Sequence, residues 1–207
     1  MAGMTRIAWI LMLAVLWMTA GGCGDGNSGL ILIVDAEFDP ATASDTSQPV
    51  HEANLAVAQT FTVLADGKFE EFWIVVTDGE SVDDGLIRIT VRPLNGMGEP
   101  DADPGTSIID AILVDTATLP GVLVETFTEF NVGDEPGRQI LMGETYAIVV
   151  DFISRTTSTD VNAIARVLGQ TNAGGDPYLD GTGSTGESGV GFTNNTDDYF
   201  FRTFVLQ

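Results

Sequence analysis

The sequence has very few of the side chains on which most metal and catalytic sites depend. It contains one cysteine, Cys23, and one histidine, His51. A zinc site built from cysteine and histidine is therefore excluded by count. A serine nucleophile needs a neighbouring base, and the nearest approach to a nucleophile elbow, GESGV around Ser188, lacks the second glycine of that motif. We therefore predict that the protein is not an enzyme.

Basic side chains are also scarce, with 8 Lys and Arg residues against 30 Asp and Glu residues and a formal net charge of −22 at pH 7. Such a surface repels nucleic acid and anionic lipid headgroups, because both require positively charged side chains in their partners. Nucleic-acid binding is therefore excluded. We interpret the acidic excess as a solvated surface that prevents aggregation, and the alternative is that clustered aspartates bind a divalent cation.

The sequence lacks an apolar run long enough to span a bilayer. The longest run, residues 7–18, has twelve residues. As a helix it would reach only about 18 Å across the roughly 30 Å hydrocarbon core. Three small residues, 20–22, lie between this run and Cys23. This order is typical of a cleaved signal peptide, which we predict over residues 1–22.

The position of Cys23 favours a bacterial lipoprotein signal, in which this cysteine receives the lipid and becomes the new N-terminus. The alternative is a general secretory cut beside a leftover cysteine, and Ala20 stands where lipoprotein signals usually carry leucine. Several acyl chains on one cysteine would give a stable anchor. Gly24, rather than aspartate, follows the cysteine, which favours the outer membrane. We therefore predict an exported protein of the bacterial outer membrane or cell envelope, with the membrane as its partner through Cys23.

Beyond the cysteine, residues 23–29 are predicted to form a flexible tether, and residues 30–207 a single domain. The clearest strand is residues 87–92, in which Ile87, Ile89 and Val91 alternate with Arg88, Thr90 and Arg92. This alternation predicts one buried side and one solvent-facing side. Trp73 lies in an apolar stretch and is predicted to belong to the core.

Turn residues separate many short strand-like stretches, and no amphipathic helix is present. Residues 39–49 and 169–196 are predicted to be loops because they are rich in turn-forming residues. The pattern predicts an all-β fold, an antiparallel β-sandwich or jelly roll of roughly nine to ten strands.

Calcium is the cofactor that the acidic loops favour, because it takes six to eight oxygen ligands from carboxylates and loop carbonyls. None of these loops reproduces an EF-hand. A structural calcium ion in one of three loops is therefore a hypothesis, with these candidate ligands: Asp83 and Asp84, Asp101 and Asp103, and Asp197 and Asp198.

Several stretches, taken in order, resemble the choice-of-anchor type of bacterial surface domain, a jelly-roll module similar to non-catalytic carbohydrate-binding modules. The resemblance covers about residues 57–205 and rests on these stretches: Ala58–Val63, Gly105–Ile109 with Leu119–Gly121, Gly143–Val150 and Asp198–Phe204. It implies a surface protein with a binding, adhesive or structural role. A lipidated cysteine would be one of the varied devices that attach such domains to cells.

The ligand of such a domain could be a glycan or a protein. Glycan modules stack sugars on exposed aromatic side chains, and Tyr178 is the best candidate for such a platform because it lies in a predicted loop. Related modules often carry tryptophan in the loop before the last strand, whereas residues 177–181 contain none. A carbohydrate-binding module is therefore the alternative, and a glycoside hydrolase with paired carboxylates is a third hypothesis.

Overall fold

The structure is a computed structural model, and it describes residues 31–39, 44–51, 56–79, 84–121, 124–132, 139–155, 163–171, 178, 180–195 and 197–207. Over these ranges the chain forms fifteen β-strands and two short 3-10 helices. The strands pair in antiparallel fashion throughout. The prediction of an all-β antiparallel sandwich is confirmed.

The predicted signal peptide, the tether and Cys23 lie outside the described residues. Within the ranges given above, the chain has no helix with the length and apolar character needed to cross a bilayer.

The strands are numbered in chain order. They are β1 (Leu32–Phe38), β2 (Thr46–Val50), β3 (Ala56–Thr62), β4 (Gly67–Ile74), β5 (Val76–Asp78), β6 (Gly85–Pro93), β7 (Ile112–Asp115), β8 (Thr128–Asn131), β9 (Gln139–Ile140), β10 (Thr145–Arg155), β11 (Ala165–Thr171), β12 (Gly183–Glu187), β13 (Gly191–Asn194), β14 (Asp197–Tyr199) and β15 (Phe201–Leu206). The 3-10 helices are Pro104–Thr106 and Thr116–Thr118.

The strands form three sheets, each named here by a central strand. The β15 sheet has the order β1-β15-β4-β8, with β9 also paired to β4. The β10 sheet has the order β13-β12-β3-β10-β6-β7. The β11 sheet has the order β14-β11-β2, with β5 also paired to β11.

Aromatic rings fill the space between the β15 sheet and the β10 sheet. The ring centre of Phe61 on β3 lies 6.2 Å from that of Phe69 on β4 and 5.9 Å from that of Phe201 on β15. All three side chains are fully buried. Burial of one such side chain contributes about 1.5–3 kcal/mol, so these rings join the two layers of the sandwich.

An extra residue in β4 determines which of its side chains face inward. The register against β15 shifts between Phe204, opposite Glu71, and Val205, opposite Phe69, so Glu70 is left as a β-bulge. Because of this bulge, Phe69 and Phe72 are both buried although they are three positions apart. Trp73 then lies on the outer side of the sheet.

At two places the chain passes from one sheet to another, and these two places form a shared corner. The stretch from β4 to β5 leaves the β15 sheet for the β11 sheet at Val75, and the stretch from β14 to β15 makes the reverse change at Phe200. The two corner residues contact each other, because the Val75 amide donates to the Phe200 carbonyl at 3.2 Å. Such corners, formed by strands that switch sheets, are a known way to close a sandwich.

The predicted strand number was too low, and these corners are one reason. Residues 69–77 and 199–206 each look like one continuous strand in the sequence, but each is divided at a corner. The predicted loop 169–196 is a second reason, because it contains the β12–β13 hairpin, which pairs with β3. The predicted loop 39–49 likewise contains most of β2.

A buried carboxylate ties the edge strand β1 to the turn after β3. Asp35 Oδ1 accepts hydrogen bonds from the amides of Leu64 at 2.9 Å and Ala65 at 2.8 Å. Burial is the main cause that raises the pKa of Asp35 above its ordinary value of 3.8, and the hydrogen bonds act in the opposite direction. The folded state therefore holds this proton more tightly than the unfolded state does.

This raised pKa predicts a specific pH dependence. Because the folded pKa is the higher one, the contribution of Asp35 to stability falls as pH rises from 3.8 through the folded pKa. The Asp35→Asn variant lacks this fall and keeps an acceptor for both amides. We therefore expect the melting temperature of the variant, relative to wild type, to increase with pH across this window and then to level off. Melting curves of both proteins over a pH series would measure it, and a constant difference would contradict it.

Candidate functional site

The loop with Asp101 and Asp103 uses both carboxylates to hold its own backbone. Asp101 Oδ1 accepts from the amide of Asp103 at 2.9 Å. Asp103 Oδ1 accepts from the amide of Gly105 at 2.8 Å and so begins the first 3-10 helix. Side-chain bonds of this type are typical of turns and caps. They account for the aspartates in this loop without a metal ion.

Asp197 and Asp198 on β14 are buried and join three strands. Asp197 Oδ2 accepts from Thr46 Oγ1 at 3.1 Å and from Gln48 Nε2 at 2.9 Å, both on β2. Asp198 Oδ1 accepts from Gln59 Nε2 on β3 at 3.3 Å. These contacts hold β14 in place, which is a structural role for the pair.

The third predicted loop is described only in part, because Asp83 lies outside the described residues. Asp84 lies close enough to Asp78 that its charge helps to raise the pKa of Asp78, although burial is the larger cause. In the part of the chain that the structure describes, no group of three or more His, Cys, Asp or Glu side chains is arranged to hold a metal ion. Calcium binding stays a prediction.

The prediction that Tyr178 forms an exposed platform is wrong. Its side chain is only 8% exposed. Its ring lies 5.0 Å from that of Phe201, edge to face, and 6.1 Å from that of Phe38. Burial is the main cause that raises the pKa of its hydroxyl group. Tyr178 is therefore a core residue, since its ring packs among the buried side chains of the hydrophobic core.

The prediction that Trp73 belongs to the core is also wrong, because Trp73 is half-buried on the outer side of β4. Its ring centre lies 4.9 Å from that of Phe204 on β15 and 6.2 Å from that of Phe127. We call these three rings the outer aromatic patch. No pattern in the sequence predicts this patch, since Phe72, Trp73 and Ile74 are all apolar and no alternation marks the residue that faces outward.

Charged side chains surround the outer aromatic patch. The guanidinium carbon of Arg202 lies 4.7 Å from the ring centre of Phe127 and 5.6 Å from that of Trp73. Arg202 also forms ion pairs with Glu37 at 3.2 Å and with Asp39, and Glu71 accepts from the indole N–H of Trp73. Flat rings beside hydrogen-bonding groups can bind the apolar face and the hydroxyl groups of a sugar.

A buried ion-pair network lies on the side of β6 that the alternation predicted to face solvent. Arg92 and Thr90 are fully buried there, so that prediction is wrong for both. The loop after β6 covers this side, because Arg92 Nη1 donates to the carbonyls of Asp101 and Ala102, each at 3.3 Å. Burial is the main cause that lowers the pKa of Arg92, and the neighbouring carboxylate of Asp151 acts in the opposite direction.

Asp151 on β10 is the anion at the centre of this network. Its Oδ1 lies 2.9 Å from Nη2 of Arg88, and its Oδ2 pairs with Arg92. Ser188 Oγ donates to the same Oδ2 at 2.7 Å. Ser188 is the serine of the GESGV stretch, and its hydroxyl is engaged by Asp151 and also accepts from Arg92 at 3.1 Å. The contacts attach the β12–β13 hairpin to the sheet, and this is the role that the geometry supports for Ser188.

Comparison with known proteins does not assign this chain to a family. No protein-family model matches this chain, and no curated protein matches it.

Proposed function

We propose that the protein is a surface-anchored, non-enzymatic lipoprotein whose β-sandwich has a binding, adhesive or structural role. The order of segments carries the proposal: an apolar leader, small residues, Cys23, a glycine-rich tether and then a body built of strands. The serine and carboxylate candidates support the non-enzymatic part, since Ser188, Asp197 and Asp198 make hydrogen bonds that hold strands together. The proposed location is the bacterial outer membrane or cell envelope.

Metabolic labelling with a fatty-acid analogue tests the anchor. We expect the wild-type protein to incorporate the label and the Cys23→Ala variant to incorporate none, because Cys23 is the only thiol in the chain. Ala20→Leu is a matched control, since it introduces the leucine that is usual in such signals. We expect this variant to incorporate the label as wild type does. Equal labelling of wild type and Cys23→Ala would contradict a lipid on Cys23.

A carbohydrate-binding module is the second candidate, and the outer aromatic patch is the observation that favours it. Trp73 and Phe127 are both half-buried and therefore partly accessible, and carboxylates of Glu37 and Glu71 lie beside the patch. Stacked sugars and hydrogen bonds to their hydroxyl groups would use both kinds of side chain. In this candidate function the ligand is a glycan and the lipid anchor presents the domain to it.

A glycan array tests this candidate. If wild type binds a glycan, we expect Trp73→Ala to weaken that binding by about fivefold, because loss of one stacked ring removes on the order of 1 kcal/mol. Leu113→Ala is the control, since Leu113 is a large exposed apolar residue on β7, in the β10 sheet. A blank array, or equal losses in both variants, would count against the patch as a glycan site.

A further inference from the structure

Five exposed apolar side chains lie at one end of the sandwich. Ile31 is 62% exposed, Leu64 54% and Met142 67%, and Leu32 and Leu141 are exposed beside them. We call these five residues the tether end, because Ile31 is the first described residue after the predicted tether.

Hydrogen bonds show that the segments carrying these residues meet. The backbones of Ile31 and Gln207 bond to each other in both directions at 3.0 Å. The side-chain amide of Gln207 donates to the carbonyl of Asp66 at 3.1 Å. Asp66 Oδ1 in turn accepts from the amide of Met142 at 2.7 Å. The first strand, the last strand, the turn after β3 and the turn before β10 therefore share one end.

Leu64 belongs to the same end. The amide of Gly143 donates to the carbonyl of Val63 at 2.8 Å, which places the turn with Leu141 and Met142 beside the turn with Leu64. Across the sheet, Gly67 pairs with Ile140. The exposed apolar residues thus come from three separate parts of the sequence, and no periodic pattern in the sequence brings them together.

We propose that the tether end lies against the lipid surface when the protein is anchored through Cys23. This inference rests on the proposed function. The seven residues between Cys23 and Ile31, which are the rest of the predicted tether and Leu30, span at most about 25 Å even when they are fully extended. An anchor on Cys23 therefore keeps Ile31 close to the bilayer. Transfer of exposed leucine, isoleucine and methionine side chains from water into the lipid surface lowers the free energy. The tether end forms the membrane-facing side and leaves the outer aromatic patch for a ligand.

The carboxylates at this end are compatible with such a contact. Asp66 accepts from the amide of Met142, Glu144 Oε2 accepts from the amide of Leu141 at 3.0 Å, and Asp35 is buried. The chain as a whole nevertheless has a formal net charge of −22 at pH 7, and anionic headgroups repel an acidic protein. The lipid surface that fits this end is therefore zwitterionic.

The opposite end of the molecule supplies a control position. β12 runs antiparallel to β3, with Gly183 opposite Gln59 and Gly186 opposite Ala56. The turn after β12 therefore lies beyond the start of β3, whereas Leu64 lies beyond its end. Val190 in that turn is 73% exposed. A dye attached at this position therefore reports the polarity of its surroundings at the opposite end of the molecule.

The test uses the full chain, purified as the lipidated protein and reconstituted into phosphatidylcholine vesicles. Because lipid blocks Cys23, single variants Leu64→Cys, Met142→Cys and Val190→Cys each present one thiol for an environment-sensitive dye. We expect the dye at positions 64 and 142 to shift its emission to shorter wavelength and to be quenched by spin-labelled lipid. The dye at position 190 should show neither change. Flotation of the vesicles reports separately whether the protein is anchored.

Each outcome decides the proposal. Flotation with the expected shifts at 64 and 142 supports it. Flotation with equal spectra at all three positions overturns this inference and leaves the lipid anchor standing. Loss of flotation overturns both. The strand β1 is an edge strand, so a second copy could also cover this end. In the absence of vesicles, the dye emission at positions 64 and 142 could shift to shorter wavelength as the protein concentration rises. This result would show that a second copy covers the tether end, and it would overturn the lipid contact.

Discussion

The Asp151→Ala variant should lose about 3–5 kcal/mol of unfolding free energy, because it leaves the fully buried Arg92 without its anion. A charge that is shielded from water and has lost its partner is among the most destabilising changes in a protein interior. The loss also frees Ser188, so the β12–β13 hairpin should detach more readily. For a domain of this size, the melting temperature should fall by about 10 °C or more.

Urea denaturation with a fluorescence or circular-dichroism readout would measure this loss. Asp110→Ala is the matched control, since Asp110 is exposed and its removal should change stability by no more than about 0.5 kcal/mol. The double variant Arg92→Met with Asp151→Ala should regain part of the loss, because it removes the unpaired charge. Equal stabilities of Asp151→Ala and Asp110→Ala would show that the network is not what holds this face of the sheet.

The same network shows where the sequence could predict the fold and where it could not. Ile87, Ile89 and Val91 are buried as their alternation predicts, since that signal depends only on neighbours along one strand. The same alternation predicts that Arg92 faces solvent, and this is wrong because Arg92 is fully buried. Its burial depends on contacts with Asp151 and Ser188, which are distant in sequence. A pattern of neighbouring residues along one strand cannot predict contacts between such distant residues.

The candidate site residues follow the same division. Asp101 and Asp103 were rightly placed in a loop, but the number of aspartates in a loop does not tell whether they bind a cation or their own backbone. Trp73 and Tyr178 were assigned to the wrong environments for opposite reasons. The bulge at Glu70 places Trp73 on the outer side of the sheet. Tyr178, in contrast, is buried because its ring packs against Phe38 and Phe201.

The Gly169→Ala variant should be destabilised by about 2–3 kcal/mol, because a side chain at this position would collide with backbone. Gly169 on β11 pairs with Tyr199 on β14. A Cβ atom there would lie 2.8 Å from Tyr199 Cα and well inside van der Waals contact with the carbonyl oxygen of Asp198. Backbone cannot rotate away as a side chain can, so β14 would have to move from β11.

That movement would break more than one strand pair. Asp197 and Asp198 hold Thr46, Gln48 and Gln59 from β14, so a displaced β14 loses its bonds to β2 and β3 together. We therefore expect faster amide hydrogen exchange at Tyr199 and Phe200 as well as the lower stability. Gly96→Ala is the control, because no heavy atom lies within 4 Å of its added Cβ, and its stability should match or slightly exceed that of wild type. Comparable unfolding free energies and exchange rates for the two variants would mean that β14 is not held by its close approach to β11.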